Sequence, residues 1–276
     1  MYSSLTFSAN STFNYLISVF FEHGDQRTKN WLLSNTPWPL FGILAFYLFF
    51  CLYAGPRYMR DRKPYELKNT MIIYNAIQVI ISCVLFYEFY QAGWGTTYNY
   101  KCAPLTYDTD PHSLRMARAV WLFYMAKITE LLDTVFFVLR KKDRQISFLH
   151  VFHHFSMPLG LYFAVQNYAG GHGTIVCFIN SFVHIVMYIY YMLTAMGPKV
   201  QKYLWWKKYI TVLQLIQFSI VFVHSIQVQI RRNCLYPRGV AAIITLYSCI
   251  FSYMFGSFYV QNYLQKKERR SSLKKD

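Results

Sequence analysis

The chain has 276 residues, of which 55% are hydrophobic and only 14% are charged. Soluble domains carry charge on about a quarter of their residues, so this composition excludes an ordinary soluble domain and indicates a membrane protein. The net charge of +16 does not indicate nucleic acid binding, because the basic residues form short clusters between apolar runs, as in the cytosolic loops of membrane proteins.

Seven apolar segments are long enough to cross a bilayer as helices, since about 20 residues span about 30 Å of hydrocarbon. In chain order they cover residues 33–54, 70–90, 116–139, 146–167, 173–196, 209–229 and 239–263. The third is the least hydrophobic because it contains Lys127, Glu130 and Asp133, and we retain it because charges within a span are typical of functional sites. Backbone groups in lipid must be paired within their own segment. The predicted fold is therefore all-α, a polytopic membrane protein with seven transmembrane helices in one domain, 1–276.

The distribution of lysine and arginine predicts the orientation. Basic clusters follow the first, third, fifth and seventh spans, and positive loops face the cytosol. Residues 1–32 are then a lumenal N-terminal segment without an expected cleavable signal peptide. Residues 264–276 are a cytosolic basic tail, whose LKKD sequence resembles a dilysine retrieval signal shifted by one position. The tail thus indicates a location in the endoplasmic reticulum. The alternative is that it is only a solvated basic segment and not a retrieval signal.

Two features of the lumenal segments agree with this orientation. Asn10 begins an Asn-Ser-Thr sequon, which predicts N-glycosylation unless the match arises by chance. Four of the six cysteines lie within spans, whereas Cys102 and Cys234 lie in two lumenal loops. Because the lumen is oxidising, we predict a Cys102–Cys234 disulfide, the alternative being two free thiols.

Polar side chains interrupt four successive spans, and helical spacing collects them on one face of each helix. They are Lys127, Glu130, Asp133 and Thr134 in the third span, His150, His153 and His154 in the fourth, Asn180, His184, Tyr188 and Tyr191 in the fifth, and Gln214 and Gln217 in the sixth. Given the orientation, all of them lie in the cytosolic half of the bilayer. Helix packing is an alternative for the glutamines, the tyrosines and the Lys–Glu pair. We predict one site that opens to the cytosol above an apolar lumenal half, which suits an amphiphile with a charged head and a long tail.

Two kinds of chemistry are open to the histidines. The His-x-x-His-His pattern is also found in membrane di-iron desaturases and hydroxylases, but the histidines at this depth are too few for two irons and enough for one zinc ion. A neutral imidazole can instead attack an activated acyl group such as a thioester. Cys177, which shares a helix face with His184, is a rival nucleophile.

Four segments carry a family resemblance. KITELLDT, LHVFHH, NSFVHIVMYIYY and TVLQLIQF match, in order and spacing, the signature boxes of the very-long-chain fatty acid elongases, and the resemblance covers nearly the whole chain. At Phe152, within the histidine box, the chain resembles the animal elongases that act on saturated and monounsaturated acyl chains.

The resemblance implies a 3-ketoacyl-CoA synthase of the endoplasmic reticulum. Such an acyltransferase condenses acyl-CoA with malonyl-CoA, releases CO2 and CoA, and uses no metal or other cofactor. The seven helices would surround a substrate tunnel in membrane lipid. The implied partners are the ketoacyl reductase, dehydratase and enoyl reductase of the elongation cycle, with homo-oligomerisation as an option.

The resemblance also directs the choice among residues. We expect ping-pong catalysis in which His153 forms an acyl-imidazole, while His150, His154 and His184 orient it, move protons or stabilise the oxyanion. The predicted substrate-binding residues are Lys127, Glu130, Asp133, Asn180, Tyr188, Tyr191, Gln214 and Gln217, with the CoA phosphates near Lys127 and the basic loops. The alternatives are a metal-dependent membrane acyl desaturase or hydroxylase and, outside the enzymes, a seven-span receptor or transporter.

Overall fold

The computed structural model describes residues 24–265, and all regular structure within this range is helical. Asn10 and the tail from residue 266 onward lie outside the described residues. The helices are α1 (Trp38–Met59), α2 (Lys68–Trp94), α3 (Pro111–Thr129), α4 (Leu132–Leu139), α5 (Phe148–Asn167), α6 (His172–Ala195), α7 (Pro198–Gln201), α8 (Lys207–Ile230) and α9 (Arg238–Leu264).

Five of these helices, α1, α2, α6, α8 and α9, are long and apolar enough to cross a membrane by length and composition. A multi-pass membrane protein is therefore supported, and the count of seven spans stays a prediction. The third predicted span is divided into α3 and α4 by a turn at Glu130 and Leu131. The fourth corresponds to the 20-residue helix α5, whose three histidines reduce its hydropathy. The charged site residues of the third segment, together with Arg118, and the histidines of the fourth make these two segments less apolar.

Helix α1 is displaced along the chain from its predicted position. It begins after Pro37 and runs to Met59, whereas the sequence predicts residues 33–54. A proline inside a helix removes one backbone donor and usually ends or kinks the helix. Here the helix continues through Pro56 because the preceding turn is π-helical, with the Gly55 N–H bonded to the Phe50 carbonyl.

The long helices pack in a closed series. Contacts join α9 to α8, α8 to α6, α6 to α2, α2 to α3 and α3 to α5. The series closes where Phe152 and His153 of α5 meet Phe251 of α9, with ring centroids 6.0 and 5.3 Å apart. Helix α1 packs against α4 and α5. The fold thus brings the faces of α3, α4, α5, α6 and α8 toward one another.

A disulfide joins two loops at one end of the helices. Cys102, between α2 and α3, is bonded to Cys234, between α8 and α9, with a Cα–Cα distance of 5.7 Å. The predicted disulfide is confirmed. At the same end the rings of His172 and His224 stack 3.7 Å apart, and the Trp94 indole donates to Thr174 at 3.0 Å. A covalent bond and buried side-chain contacts therefore hold the loops together at this end.

Candidate active site

The turn between α3 and α4 sets the direction of the first group of site residues. The Glu130 N–H bonds to Ala126 over a full helical turn, whereas Leu131 and Asp133 bond only three residues back, to Ile128 and Glu130. This tighter winding resembles a 3₁₀ turn, in which side chains rotate by a different step per residue than in an α-helix. Side chains before and after the turn therefore face different neighbours.

An ion pair lies at the end of α3. Lys127 Nζ donates to both carboxylate oxygens of Glu130, at 2.8 and 3.0 Å, and both side chains are almost completely buried. The Nδ1 atom of His184 lies 3.2 Å from Nζ and 3.2 Å from Glu130 Oε1. Three predicted site residues on α3 and α6 therefore form one buried polar cluster. The Lys127 ammonium is therefore directed into this cluster.

Past the turn, Asp133 faces a second neighbour. The Tyr188 hydroxyl donates to Asp133 Oδ2 at 2.8 Å, and both side chains are buried. The ring of Tyr74, from α2, lies edge-on to that of Tyr188 with centroids 6.4 Å apart. The structure therefore brings these two predicted residues together, next to a tyrosine that the sequence prediction does not include.

The histidine box occupies the first turns of α5. The helix begins after Ser147, whose hydroxyl accepts from the His150 N–H at 3.3 Å as an N-cap. The His150 and His154 rings lie 4.2 Å apart and those of His153 and His154 lie 5.3 Å apart, measured between centroids. The predicted common face of the three histidines is thus present.

A hydroxyl chain connects His150 to two other helices. Thr134 Oγ1 of α4 lies 2.9 Å from His150 Nε2, and the Tyr47 hydroxyl of α1 lies 3.0 Å from Thr134 Oγ1. Thr134 is fully buried and Tyr47 is only 4% exposed. One of the two ring nitrogens of His150 is therefore held by protein hydroxyls.

His153 and His154 have different surroundings. Within residues 24–265, neither side chain makes a hydrogen bond, so their ring nitrogens are unengaged there. His153 packs against Phe251 of α9, and α5 packs along α3, the helix whose end carries Lys127. These interactions place the histidine box of α5 beside the polar cluster of α3 and α6.

The predicted amide residues lie near the cluster but make weaker contacts. Asn180 Nδ2 is 3.4 Å from Gln217 Oε1, and within the described part of the chain the buried Asn180 Oδ1 has no partner. Gln214 is half-buried and directs its amide to the Met187 sulfur at 3.8 Å. Tyr191 is 37% exposed and lies at the edge of the group. Asn180 therefore keeps a free acceptor, and its amide group has capacity for a further polar contact.

Sequence reasoning missed several neighbours of the site. Tyr47, Tyr74 and Phe251 belong to helices in which no site residue was predicted, and Gln78 of α2 donates to Thr129 at 3.1 Å. The buried polar side chain of Gln78 within an apolar span is a signal that could have been used. The tyrosines and the phenylalanine carry no such signal, because aromatic residues are frequent in every span of this chain.

The arrangement of the histidines bears on whether they could be metal ligands. Across residues 24–265, no group of three or more His, Cys, Asp and Glu side chains has an arrangement that could hold a metal ion. Thr134 already occupies His150 Nε2, and Lys127 and Glu130 surround His184. His150 and His184 are therefore held by different partners.

Comparison with known proteins decides the family. The model of the ELO family, described as GNS1/SUR4, matches residues 32–271. The chain belongs to the ELO family. It is 48% identical to very long chain fatty acid elongase 7 of Rattus norvegicus, over 87% of this chain and 85% of the relative. The identity is 47% with elongase 7 of Drosophila melanogaster, over 88% of this chain and 74% of the relative. With elongase 1 of Homo sapiens it is 42%, over 92% of each chain.

Membership of the ELO family confirms the predicted resemblance. The relatives are named as fatty acid elongases, and neither the desaturase nor the receptor alternative agrees with that family. Residues 32–271 include all four boxes and every helix from α1 to α9. The family assignment therefore rests on the whole helical assembly and not on the histidine box alone.

Proposed function

We propose that this chain is a fatty acid elongase that condenses a long-chain acyl-CoA with malonyl-CoA to give a 3-ketoacyl-CoA, CO2 and CoA. The observation that supports this function is the histidine face of α5 beside the buried Lys127–Glu130–His184 cluster. This arrangement combines an imidazole with unengaged nitrogens and a fixed set of charged and polar groups. Acyl transfer needs a nucleophile together with groups that stabilise developing charge.

In the first half-reaction, His153 attacks the thioester carbonyl carbon of acyl-CoA. The carbon–sulfur bond breaks, the CoA thiolate leaves, and the proton released from the imidazole ring protonates the thiolate through a neighbouring histidine. The product is an acyl-imidazole on His153. The ring nitrogens of His153, like those of His154, are unengaged within the described residues, and Phe251 covers the His153 ring with an apolar surface. The choice of His153 over His154 follows the family resemblance.

In the second half-reaction, malonyl-CoA loses CO2, and the electron pair of the broken carbon–carbon bond forms an enolate. The enolate carbon attacks the acyl carbon, the bond between that carbon and the imidazole nitrogen breaks, and the leaving ring of His153 takes up a proton through a neighbouring histidine. The negative charge on oxygen needs hydrogen-bond donors at this stage. Asn180, Gln214 and Gln217 are candidate donors, together with the remaining histidines. No metal ion or other cofactor is required by these steps.

Substrate placement follows from the distribution of charge. Exposed basic residues after α1, α4 and α7 would attract the CoA phosphates at the cytosolic side. The acyl chain would extend from the histidines toward the end of the helices that carries the disulfide, between aromatic side chains such as Phe123 and Tyr124. Lys127, being paired, would orient Glu130 and His184 instead of binding phosphate directly.

The cellular setting is part of the same proposal. The chain would lie in the endoplasmic reticulum membrane, with the N-terminus and Asn10 in the lumen and the C-terminus in the cytosol. The Cys102–Cys234 disulfide supports an oxidising lumen on that side. Its 3-ketoacyl-CoA product would pass to a reductase, a dehydratase and an enoyl reductase, which remove the ketone oxygen in sequence.

The function is tested with protein purified in detergent and incubated with radiolabelled malonyl-CoA and acyl-CoAs of graded length. We expect 3-ketoacyl-CoA two carbons longer, with activity that survives dialysis against a chelator. With acyl-CoA alone, one equivalent of CoA should be released and the acyl group should be recovered on His153. His112→Gln, which changes an exposed histidine outside the site, is the matched control for His153→Gln. An adduct on Cys177, or no release of CoA, would contradict the mechanism.

A further inference from the structure

The first helix reaches the histidine box through one side chain. Tyr47 lies on α1, where the sequence predicts no site residue, and its hydroxyl is 3.0 Å from Thr134 Oγ1. Thr134 in turn is 2.9 Å from His150 Nε2. Three helices, α1, α4 and α5, therefore meet in one chain of hydrogen bonds that ends on an imidazole nitrogen.

The protons of the three side chains and their burial set the direction of these two hydrogen bonds. Each hydroxyl carries one proton and neutral imidazole carries one. These three protons share two hydrogen bonds, so among residues 24–265 one donor is left without an acceptor in either direction. When Tyr47 donates to Thr134 and Thr134 donates to His150 Nε2, the remaining proton is on Nδ1 of His150, a side chain that is only partly buried. In the reverse direction the remaining proton is on the hydroxyl of Tyr47, which is 4% exposed, and an unsatisfied donor is less favourable there. The first arrangement requires Nε2 to be an acceptor, so the proton of His150 is on Nδ1.

We propose that Thr134 and Tyr47 are positioning residues that hold His150 in the tautomer protonated on Nδ1. This inference rests on the proposed function. Nδ1–H is a donor and Nε2 is occupied, so His150 has no free lone pair with which to attack an acyl group. His150 is the hydrogen-bond donor of the histidine face, directed at charge that develops on the thioester oxygen or the enolate, and it is not the nucleophile.

A structural explanation for Tyr47 would be that a buried phenol needs a partner. Tyr162 is also buried, but its hydroxyl has no partner within the described residues and so makes no hydrogen bond to a site residue. Tyr47 is buried to a similar degree, yet its hydroxyl is placed on Thr134. Tyr162→Phe is therefore the matched control for Tyr47→Phe. The buried hydroxyl of Thr194 also has no partner within the described residues. Thr194→Val is therefore the matched control for Thr134→Val.

The kinetic test compares these variants in the condensation assay. One hydrogen bond that is stronger in the transition state is worth about tenfold in rate. We expect Thr134→Val and Tyr47→Phe each to lower kcat about tenfold with little change in KM, and both controls to stay within about twofold of wild type. Thr134→Ser keeps the hydroxyl and should restore most of kcat. Because Tyr47 acts through Thr134, the double variant should be no slower than Thr134→Val alone.

The tautomer is tested directly by NMR on wild-type protein labelled with ¹⁵N-histidine in bilayers. The resonances that disappear in His150→Gln belong to His150, and we expect the chemical shifts of an imidazole protonated on Nδ1. In Thr134→Val the same resonances should move toward the other tautomer. A wild-type spectrum with the proton on Nε2 overturns the inference, as do additive kinetic effects or variants that behave like the controls. A wild-type protein that makes no 3-ketoacyl-CoA would instead refute the proposed function, while the NMR result still measures the tautomer.

Discussion

Glutamine in place of Glu130 would leave the buried ammonium of Lys127 without the carboxylate that contacts it. Nζ lies 2.8 and 3.0 Å from the two oxygens of Glu130, and the side chains are 3% and 4% exposed. Removing one partner of a buried ion pair costs about 3–5 kcal/mol, because the other charge stays buried and uncompensated. The amide oxygen of glutamine can still accept one hydrogen bond from Nζ, so we expect a loss near the lower value, about 3 kcal/mol.

The chain contains a matched ion pair for comparison. Arg115 donates to Glu88 at 2.7 and 2.9 Å, but these side chains are 34% and 25% exposed. Partly solvated pairs contribute about 0–1 kcal/mol. Glu88→Gln should therefore destabilise the protein much less than Glu130→Gln, although the geometry of the two ion pairs is similar.

The assay is thermal unfolding in detergent, followed by the fluorescence of the 6 tryptophans. For a chain of this size, 1 kcal/mol corresponds to about 2–4 °C in Tm, so Glu130→Gln should lower Tm by about 6–12 °C. The double variant Lys127→Met/Glu130→Leu removes both charges and should be more stable than Glu130→Gln. Equal Tm values for Glu130→Gln and Glu88→Gln would show that the Lys127 ammonium is solvated or neutral in the folded protein, and would refute this reasoning.

Two further predictions concern stability at other positions. Cys102→Ser opens a disulfide that joins residues 132 apart, and for this separation the chain-entropy model gives a stabilisation of up to about 5 kcal/mol. We therefore expect Tm to fall in Cys102→Ser. Cys83→Ser, at an exposed free thiol, should leave Tm unchanged. Tyr188→Phe removes the donor at 2.8 Å from the buried carboxylate of Asp133 and should cost about 1.5–3 kcal/mol in the same assay, whereas Tyr162→Phe should cost less than 1 kcal/mol.

Local spacing predicts the faces of the helices well. The three-residue step from Lys127 to Glu130 indicates their contact, and the i, i+3, i+4 spacing of the histidines indicates their common face, since both depend only on helical geometry. The positions of the cysteines relative to the membrane are likewise sufficient to predict the disulfide, because only two of the six cysteines lie in loops. Such features need no knowledge of how the helices pack.

Contacts between distant helices could not be predicted in this way. The turn at Glu130 and Leu131 is not visible in the helical pattern, yet it directs Asp133 toward Tyr188 and Thr134 toward His150. Helix α1 begins five residues later than predicted. Cross-helix pairing is decided by side-chain packing in three dimensions, and sequence spacing within one helix contains no information about it.

The four histidines of the site have different neighbours, and this difference bears on the mechanism. His184 lies against an ion pair, His150 is held by hydroxyls, and His153 and His154 have ring nitrogens unengaged within residues 24–265. A metal site would require several imidazoles with lone pairs directed at one point. Acyl transfer requires instead that one imidazole keeps a free lone pair while others present N–H groups to developing charge. The neighbours of His150 and His153 agree with the second requirement, because a neutral imidazole has one lone pair and one N–H, and its tautomer decides which nitrogen carries each. For this reason the tautomer of His150, and not the presence of the box, is the property that most directly separates a nucleophile from its supporting residues.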